Sequence, residues 1–198
     1  MLERQRRVSA AIMPPCLSQG RGFIYNARMD GITGLIKAQF EVSFAMLADE
    51  IEACPDSLWL EKAGGFPIWQ QILHALHGAA YWLRPGSEEF PEPFPGRKLY
   101  PELDGEAEGS VSKEELLSFA REVESRARRF FSLLRDEELQ RPSWIEPSAR
   151  TFDLIAGQLR HLMYHAGHCD SALRERGIAT PPWREVGRAI GQGQDSTR

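Results

Sequence analysis

All five histidines of the chain lie in two short stretches. His74 and His77 fall in the first stretch, and His161, His165 and His168 fall in the second. Residues three and four positions apart share one face of a helix, so the second group predicts stacked imidazole rings. Two imidazoles stacked in this way can bind one divalent metal ion. This clustering is the main indication of function that the sequence offers.

Two plainer interpretations compete with a metal site. A buried histidine is often a core residue bonded to a carbonyl, and pairs four residues apart also occur on solvated faces. A second histidine cluster on another apolar helix favours the metal site, because burying several imidazoles without a ligand leaves polar atoms to satisfy.

Three imidazoles with one or two open positions are typical of a catalytic metal site. Zinc is commonly held this way, and nickel, iron and manganese also accept imidazole. A bound divalent ion lowers the pKa of a coordinated water or thiol and so yields a nucleophile at neutral pH. The histidines lack the Glu-x-x-His pairs of di-iron bundles and the His-Glu-x-x-His of metalloproteases.

The elements that must position these rings are predicted from apolar residues at helical spacing. A first helix begins at or just after Asp30 and ends near Cys54, before a proline. A second helix runs from about Pro67 to Leu83. The stretch 84–109 that follows is rich in proline, glycine and acidic residues, which excludes a regular helix. So long a loop either serves as a lid over a site or only links two helices.

A third helix begins at the capping box formed by Ser112 and Glu115. A fourth begins at Thr151 as the N-cap and ends at Gly177, which suits the C′ position. No stretch shows the alternation of a strand. The sequence therefore predicts an all-α protein, an up-and-down four-helix bundle with a long Pro-rich loop between helices two and three.

Composition limits the function classes. A chain of 198 residues with 42% hydrophobic residues suits one domain, which we place at 29–185, with tails at 1–28 and 186–198. The net charge of −4 argues against a nucleic-acid partner, and no apolar run approaches the roughly 20 residues that span a membrane. Three widely spaced cysteines indicate no disulfide framework, which favours a reducing cytoplasm: Cys16, Cys54 and Cys169.

The two histidine stretches resemble those of the DinB-like superfamily, the damage-inducible bacterial proteins that include bacillithiol- and mycothiol-dependent transferases. In that family a histidine on helix two precedes an aromatic-Trp pair, as His74 precedes Tyr81-Trp82 here. A His-x-x-x-His pair on the last helix then runs into a Leu-Arg-x-x-Gly ending, as His161 and His165 lead to Leu173–Gly177. The resemblance covers roughly residues 30–185.

The resemblance implies that His74, His161 and His165 bind a divalent metal, zinc being the first choice. His77 is additional to the family pattern, and His168 stands where many members have glutamine. We interpret both as candidate catalytic residues, although either could instead support the site, replace a ligand or be bonded to backbone. The family also implies a homodimer.

The activity implied by the resemblance is a metal-dependent transferase that takes a small-molecule substrate and a low-molecular-weight thiol. A metal-dependent hydrolase with the same ligands and a non-catalytic metal- or ligand-binding bundle are the alternatives. Cys169 lies one turn after His165, and we favour core packing over a reactive or ligating thiol. Tyr81 and Trp82 could line a substrate pocket or simply fill the core.

Overall fold

The computed structural model describes residues 31–86, 88–90 and 92–184, and the described residues are mostly helical. The predicted all-α class is therefore confirmed, and the tails predicted at 1–28 and 186–198 lie outside the described residues. The described elements are α1 (Ile32–Ala53), α2 (Asp56–Trp59), β1 (Lys62–Ala63), β2 (Phe66–Pro67), α3 (Ile68–Trp82), α4 (Lys113–Leu133), a 3-10 turn (Asp136–Glu138) and α5 (Thr151–Arg174).

Each of the four long helices packs against two others. Helix α1 lies against α4 and α5, and α3 lies against the same two helices. The apolar stripes predicted from the sequence face the space between them, where Leu47, Leu73, Leu116 and Leu162 are fully buried. Removing these side chains from water is the main force that holds the helices together. None of the helices in the described part of the chain is both long and apolar enough to cross a membrane.

Helices α1 and α4 run in opposite directions. The carboxylate of Asp136, just after α4, accepts hydrogen bonds from the backbone N–H groups of Ile32 (2.8 Å) and Thr33 (2.9 Å). Asp136 thereby caps the start of α1, which has no side-chain cap of its own. At the other end, the Trp59 indole donates to the carbonyl of Val111, just before α4.

Helices α3 and α4, in contrast, finish at the same end of the molecule. Trp82 at the end of α3 and Leu133 and Leu134 at the end of α4 line one cavity. The chain must therefore travel back along the molecule between these two helices, and the predicted up-and-down order is wrong at this connection. Apolar periodicity defines helix faces and carries no information on direction. Two parallel neighbouring helices require a long crossover, which accounts for the length of this connection.

The crossover is attached to α3 through a buried amide. Gln70 is only 1% exposed, and its Nε2 donates to the carbonyls of Leu99 (3.0 Å), Tyr100 (3.1 Å) and Gly105 (3.2 Å). A buried amide without partners would be costly, so these carbonyls fix where the crossover lies on α3.

Two of the predicted helix ends are confirmed in detail. Ser112 Oγ accepts from the N–H of Glu115 (3.2 Å), and Glu115 Oε2 accepts from the N–H of Ser112 (2.8 Å), which completes the capping box. Gly177 has φ +69°, and the N–H of Ile178 bonds the carbonyl of Leu173 at 3.0 Å. This is the Schellman pattern, in which the C′ residue takes a left-handed conformation that glycine adopts readily.

The remaining boundaries differ slightly from prediction. Thr151 is the first residue of α5 and not its N-cap, a position that Arg150 occupies without a side-chain hydrogen bond. Pro67 likewise precedes α3 instead of opening it. The predicted loop around Gly64 and Gly65 contains the short antiparallel pair β1–β2, although no strand was predicted. Both glycines have positive φ, as a tight hairpin turn requires.

Candidate metal centre

Three of the five histidines converge between α3 and α5. The Nε2 atoms of His74 and His161 lie 2.9 Å apart. The ring centroid of His165 lies 4.9 Å from that of His74 and 4.8 Å from that of His161. One potential ligand atom from each ring lies within 4.8 Å of the others, so the group could hold a metal ion. The structure thus brings together the three residues that the family resemblance implied as ligands.

Hydrogen bonds at Nδ1 orient two of these rings. His74 Nδ1 lies 2.7 Å from the carbonyl oxygen of Pro101, and His165 Nδ1 lies 3.1 Å from Gln71 Oε1. A carbonyl oxygen can only accept, so in each ring Nδ1 carries the proton and Nε2 keeps its lone pair. Metal-binding histidines usually donate their second N–H to a carbonyl or carboxylate in this manner.

The third ring is held by packing and by the contact of its Nε2 with His74 Nε2, and not by a hydrogen bond at Nδ1. His161 Nδ1 is buried and has no partner among the described residues. Its ring lies against Gly78 of α3, where a Cβ would sit 3.0 Å from His161 Cε1. The absence of a side chain at Gly78 therefore allows the His161 ring to lie close to α3. The ring can then reach His74, which is on the same helix.

The electrostatics favour neutral rings with available lone pairs. Burial lowers the pKa of His165 to about 3, with further contributions from the neighbouring His161, His74 and His168. Burial also lowers the pKa of His161, and the nearby His74 adds to the effect. Neutral imidazoles are the form that binds metals. The Nε2 lone pair of His74 points towards the Nε2 of His161. A cation between the two rings could be bound by both nitrogens. The residues therefore fit a divalent ion.

His77 lies one turn beyond His74 on α3 and outside the three-histidine group. Its Nδ1 is 3.8 Å from Glu102 Oε1, and its ring packs edge-on against Phe90 at 4.8 Å. Burial lowers the pKa of His77, while the carboxylate of Glu102 acts in the opposite direction. The structure therefore places a half-buried, neutral imidazole beside a carboxylate near the candidate centre.

His168 contacts the hairpin and also lies outside the group. Its Nε2 is 3.0 Å from the carbonyl oxygen of Ala63, to which it donates. The ring lies directly against Gly64, where a Cβ would fall 2.3 Å from His168 Cε1. His168 consequently ties β1 to α5, and the catalytic roles suggested for His168 and His77 stay predictions.

The described cysteines behave as core residues. Cys169 is 1% exposed, and burial raises the pKa of its thiol far above the usual range. Burial likewise raises the pKa of Cys54 to about 11. Both thiols are protonated at neutral pH, which supports core packing over a reactive role for Cys169. Cys16 lies outside the described residues.

The residues that support the ligands were not predicted from the sequence. Gln71 and Gln158 each stand three positions before a histidine of the group, in two Gln-x-x-His segments. Gln71 bonds His165 across the helix pair, and Gln158 Oε1 is buried beside Gly78. The repeated segment was a visible signal. The carbonyl of Pro101 gave none, because any residue could supply it.

Comparison with known proteins identifies the family of the chain. Neither the curated proteins nor the solved structures include one that matches the chain significantly. The family model of the DinB superfamily matches residues 39–169, a span that holds all three histidines of the group and most of the four long helices. The chain therefore belongs to the DinB superfamily.

Proposed function

We propose that this protein is a metal-dependent transferase that uses a low-molecular-weight thiol. The observation that carries the proposal is the convergence of three imidazoles, from His74, His161 and His165, between α3 and α5. Zinc is the first choice because it is commonly bound by three protein ligands and a further open position. The bound ion would lower the pKa of a thiol enough for it to react as thiolate at neutral pH.

The residues of the chain have distinct tasks in this proposal. The pair Gln71 and Pro101 holds the tautomers of His165 and His74, so that both lone pairs point to the same place. His77 accepts the proton that the thiol loses, and Glu102 stabilises the resulting imidazolium. The sulfur then forms a bond to an electrophilic carbon of the second substrate, whose leaving group departs with the electron pair.

We assign His168 a positioning role in the same proposal. Its hydrogen bond to Ala63 and its contact with Gly64 keep the hairpin against α5. Gln71, which bonds His165, also lies 3.4 Å from the carbonyl of Ala63 through its Nε2. The hairpin and the metal ligand are thus connected through one amide.

The resemblance to the family extends the proposal to the whole molecule. We propose that the four helices form a four-helix bundle, for which the mutual packing of α1, α3, α4 and α5 is the support. A homodimer follows from the resemblance alone and is tested by sedimentation of the purified protein. The absence of a disulfide framework among the three cysteines supports a cytoplasmic location.

The test combines metal content with thiol consumption. The purified protein should contain about one divalent ion per chain by mass spectrometry. Changing His161 to alanine should abolish metal retention, whereas His77→Ala is a matched control that keeps the metal and loses turnover. Glutathione or bacillithiol with 1-chloro-2,4-dinitrobenzene provides the transferase assay.

Each outcome separates the candidate functions. Retention of metal by His161→Ala would show that the ligand assignment is wrong. Turnover of an ester without consumption of thiol would replace the transferase with a hydrolase using the same ligands. A metal-loaded protein that turns over neither substrate would be a binding protein.

A further inference from the structure

Two buried polar atoms without hydrogen-bond partners border the same small space beside Gly78. They are His161 Nδ1 and Gln158 Oε1, and neither has a partner among the described residues. A Cβ on Gly78 would lie 3.1 Å from His161 Nδ1 and 3.3 Å from Gln158 Oε1. Buried polar atoms are rarely left unpaired, because each then loses its hydrogen bonds to water without replacing them.

The partner of each atom must come from within the protein. Both atoms are buried, so bulk water does not reach them. Gln158 and His161 stand three positions apart on α5 and are therefore neighbours on one face of the helix. Gly78 closes the space from the side of α3. The imidazole nitrogen and the amide are thus available to each other.

His161 is the exception among the three candidate ligands. His74 Nδ1 donates to the carbonyl of Pro101 at 2.7 Å, and His165 Nδ1 donates to Gln71 Oε1 at 3.1 Å. His161 Nε2 lies 2.9 Å from His74 Nε2, so it is the atom through which His161 would bind an ion. A histidine bound through Nε2 carries its proton on Nδ1, and this N–H usually donates to an oxygen. His161 Nδ1 would then be a buried donor that needs an acceptor.

We propose that Gln158 is the positioning residue of His161, and that its amide oxygen accepts from His161 Nδ1–H when the three-histidine group holds an ion. The inference rests on the metal site of the proposed function and on no step of the thiol chemistry. A change in the side-chain torsions of Gln158 would join the two atoms, since both already border the space beside Gly78. The hydrogen bond would fix the tautomer that leaves the lone pair on Nε2 and would keep the ring directed at the ion.

A glutamine suits this position because it can both donate and accept. His74 Nε2 keeps its lone pair, so its contact with His161 Nε2 is a hydrogen bond when His161 carries its proton on Nε2. His161 Nδ1 is then an acceptor, to which the NH2 group of Gln158 can donate. With an ion between the rings, the proton of His161 lies on Nδ1 and the amide oxygen accepts it. A carboxylate could pair only with the second form of the ring.

The test replaces Gln158 and measures the affinity for zinc by competition with a chromophoric chelator. Gln158→Met keeps an unbranched side chain and removes both polar atoms, so it should lower zinc affinity roughly 10- to 100-fold. Gln158→Glu keeps an acceptor oxygen and should bind zinc at least as tightly as the unaltered protein does. Gln39→Met is the matched control, because Gln39 is an exposed glutamine within α1. It should leave zinc affinity unchanged.

Nuclear magnetic resonance adds a readout that a mere packing role would not change. In the zinc-loaded protein with isotope-labelled histidine, His161 should carry its proton on Nδ1, and this N–H should exchange slowly with water. The slow exchange should persist in Gln158→Glu. In Gln158→Met the N–H has no acceptor, and its signal should be lost through faster exchange.

Three results would overturn the proposal. Equal zinc affinity in Gln158→Met and the unaltered protein would show that Gln158 does not support the ligand. Weaker zinc binding by Gln158→Glu, which decides the matter also should Gln158→Met not fold, would show that the residue only fills space. A slowly exchanging Nδ1–H of His161 in Gln158→Met would mean that another group accepts it. Zinc binding without consumption of thiol, in contrast, would remove the transferase and leave these comparisons intact.

Discussion

Replacing Gly78 with alanine should weaken metal binding without destabilising the fold. The added Cβ would lie 3.0 Å from His161 Cε1, 3.1 Å from His161 Nδ1 and 3.3 Å from Gln158 Oε1. These separations are shorter than ordinary van der Waals contacts, so the ring of His161 must shift by a few tenths of an ångström. Gly78 lies within α3, and its backbone needs no conformation that alanine lacks.

The substitution should affect folding stability and metal affinity in opposite directions. Replacing glycine with alanine inside a helix raises the free energy of unfolding by about 1 kcal/mol. The close contact of the new Cβ with His161 offsets part of this gain. The metal-free variant should therefore unfold at a temperature equal to or slightly above that of the unaltered protein. Changes next to a metal ligand typically lower affinity 10- to 100-fold, and for so small a shift we expect about tenfold.

A competing chromophoric chelator measures the dissociation constant of zinc, and thermal unfolding of the metal-free protein measures stability. Gly167→Ala is the matched control, because Gly167 also lies within a helix and a Cβ there would meet nothing within 4 Å. It should raise stability and leave metal affinity unchanged. Unaltered zinc affinity in Gly78→Ala would refute the reasoning, since it would mean that His161 is not held where the ion binds.

Three further predictions concern support of the ligands, a helix end and a buried acid. Gln71→Met removes the acceptor for His165 Nδ1 and should lower zinc affinity 10- to 100-fold in the same chelator competition, with unchanged affinity as the contrary result. Ser112→Ala removes a cap of α4 and should cost about 1 kcal/mol in urea unfolding; a loss near zero would contradict this. Burial, and then a hydrogen bond with Asp170, raises the pKa of Glu50 from its ordinary 4.5 to about 8. The folded protein thus keeps a proton that the unfolded chain releases above pH 4.5, so stability from this group is full below that pH and falls towards pH 8, by at most about 1.4 kcal/mol per pH unit. Glu50→Gln should flatten this decline in urea unfolding between pH 5.5 and 8, and a slope equal to that of the unaltered protein would exclude Glu50 as its cause.

Local patterns predicted the helices because local interactions determine them. The capping box at Ser112 and the glycine at position 177 are recognised within a few residues, and both ends are confirmed. Helix direction depends on contacts between distant segments, such as that of Asp136 with Thr33. The residues next to Asp136 and Thr33 in the sequence do not predict that contact. For this reason the up-and-down arrangement of the helices was predicted incorrectly.

The candidate site likewise combines features that the sequence predicts with features that depend on contacts between distant segments. The spacing of His161 and His165 follows from one helix, and the family pattern added His74. His168 lies only three residues from His165, yet its ring turns to the hairpin, since the carbonyl of Ala63 offers it a partner. Spacing on a helix determines which residues share a face. The segments packed against that face then determine which rings could bind an ion.

The buried polar residues of α3 connect the fold to the site. Gln70 and Gln71 are 1% and 4% exposed in an otherwise apolar stretch, and each needs partners from outside the helix. Gln70 takes them from the crossover, and Gln71 takes one from His165. By fixing the crossover, Gln70 also fixes the carbonyl of Pro101, which sets the tautomer of His74. The crossover is therefore more than a linker, because it contributes an atom to the support of the candidate metal centre.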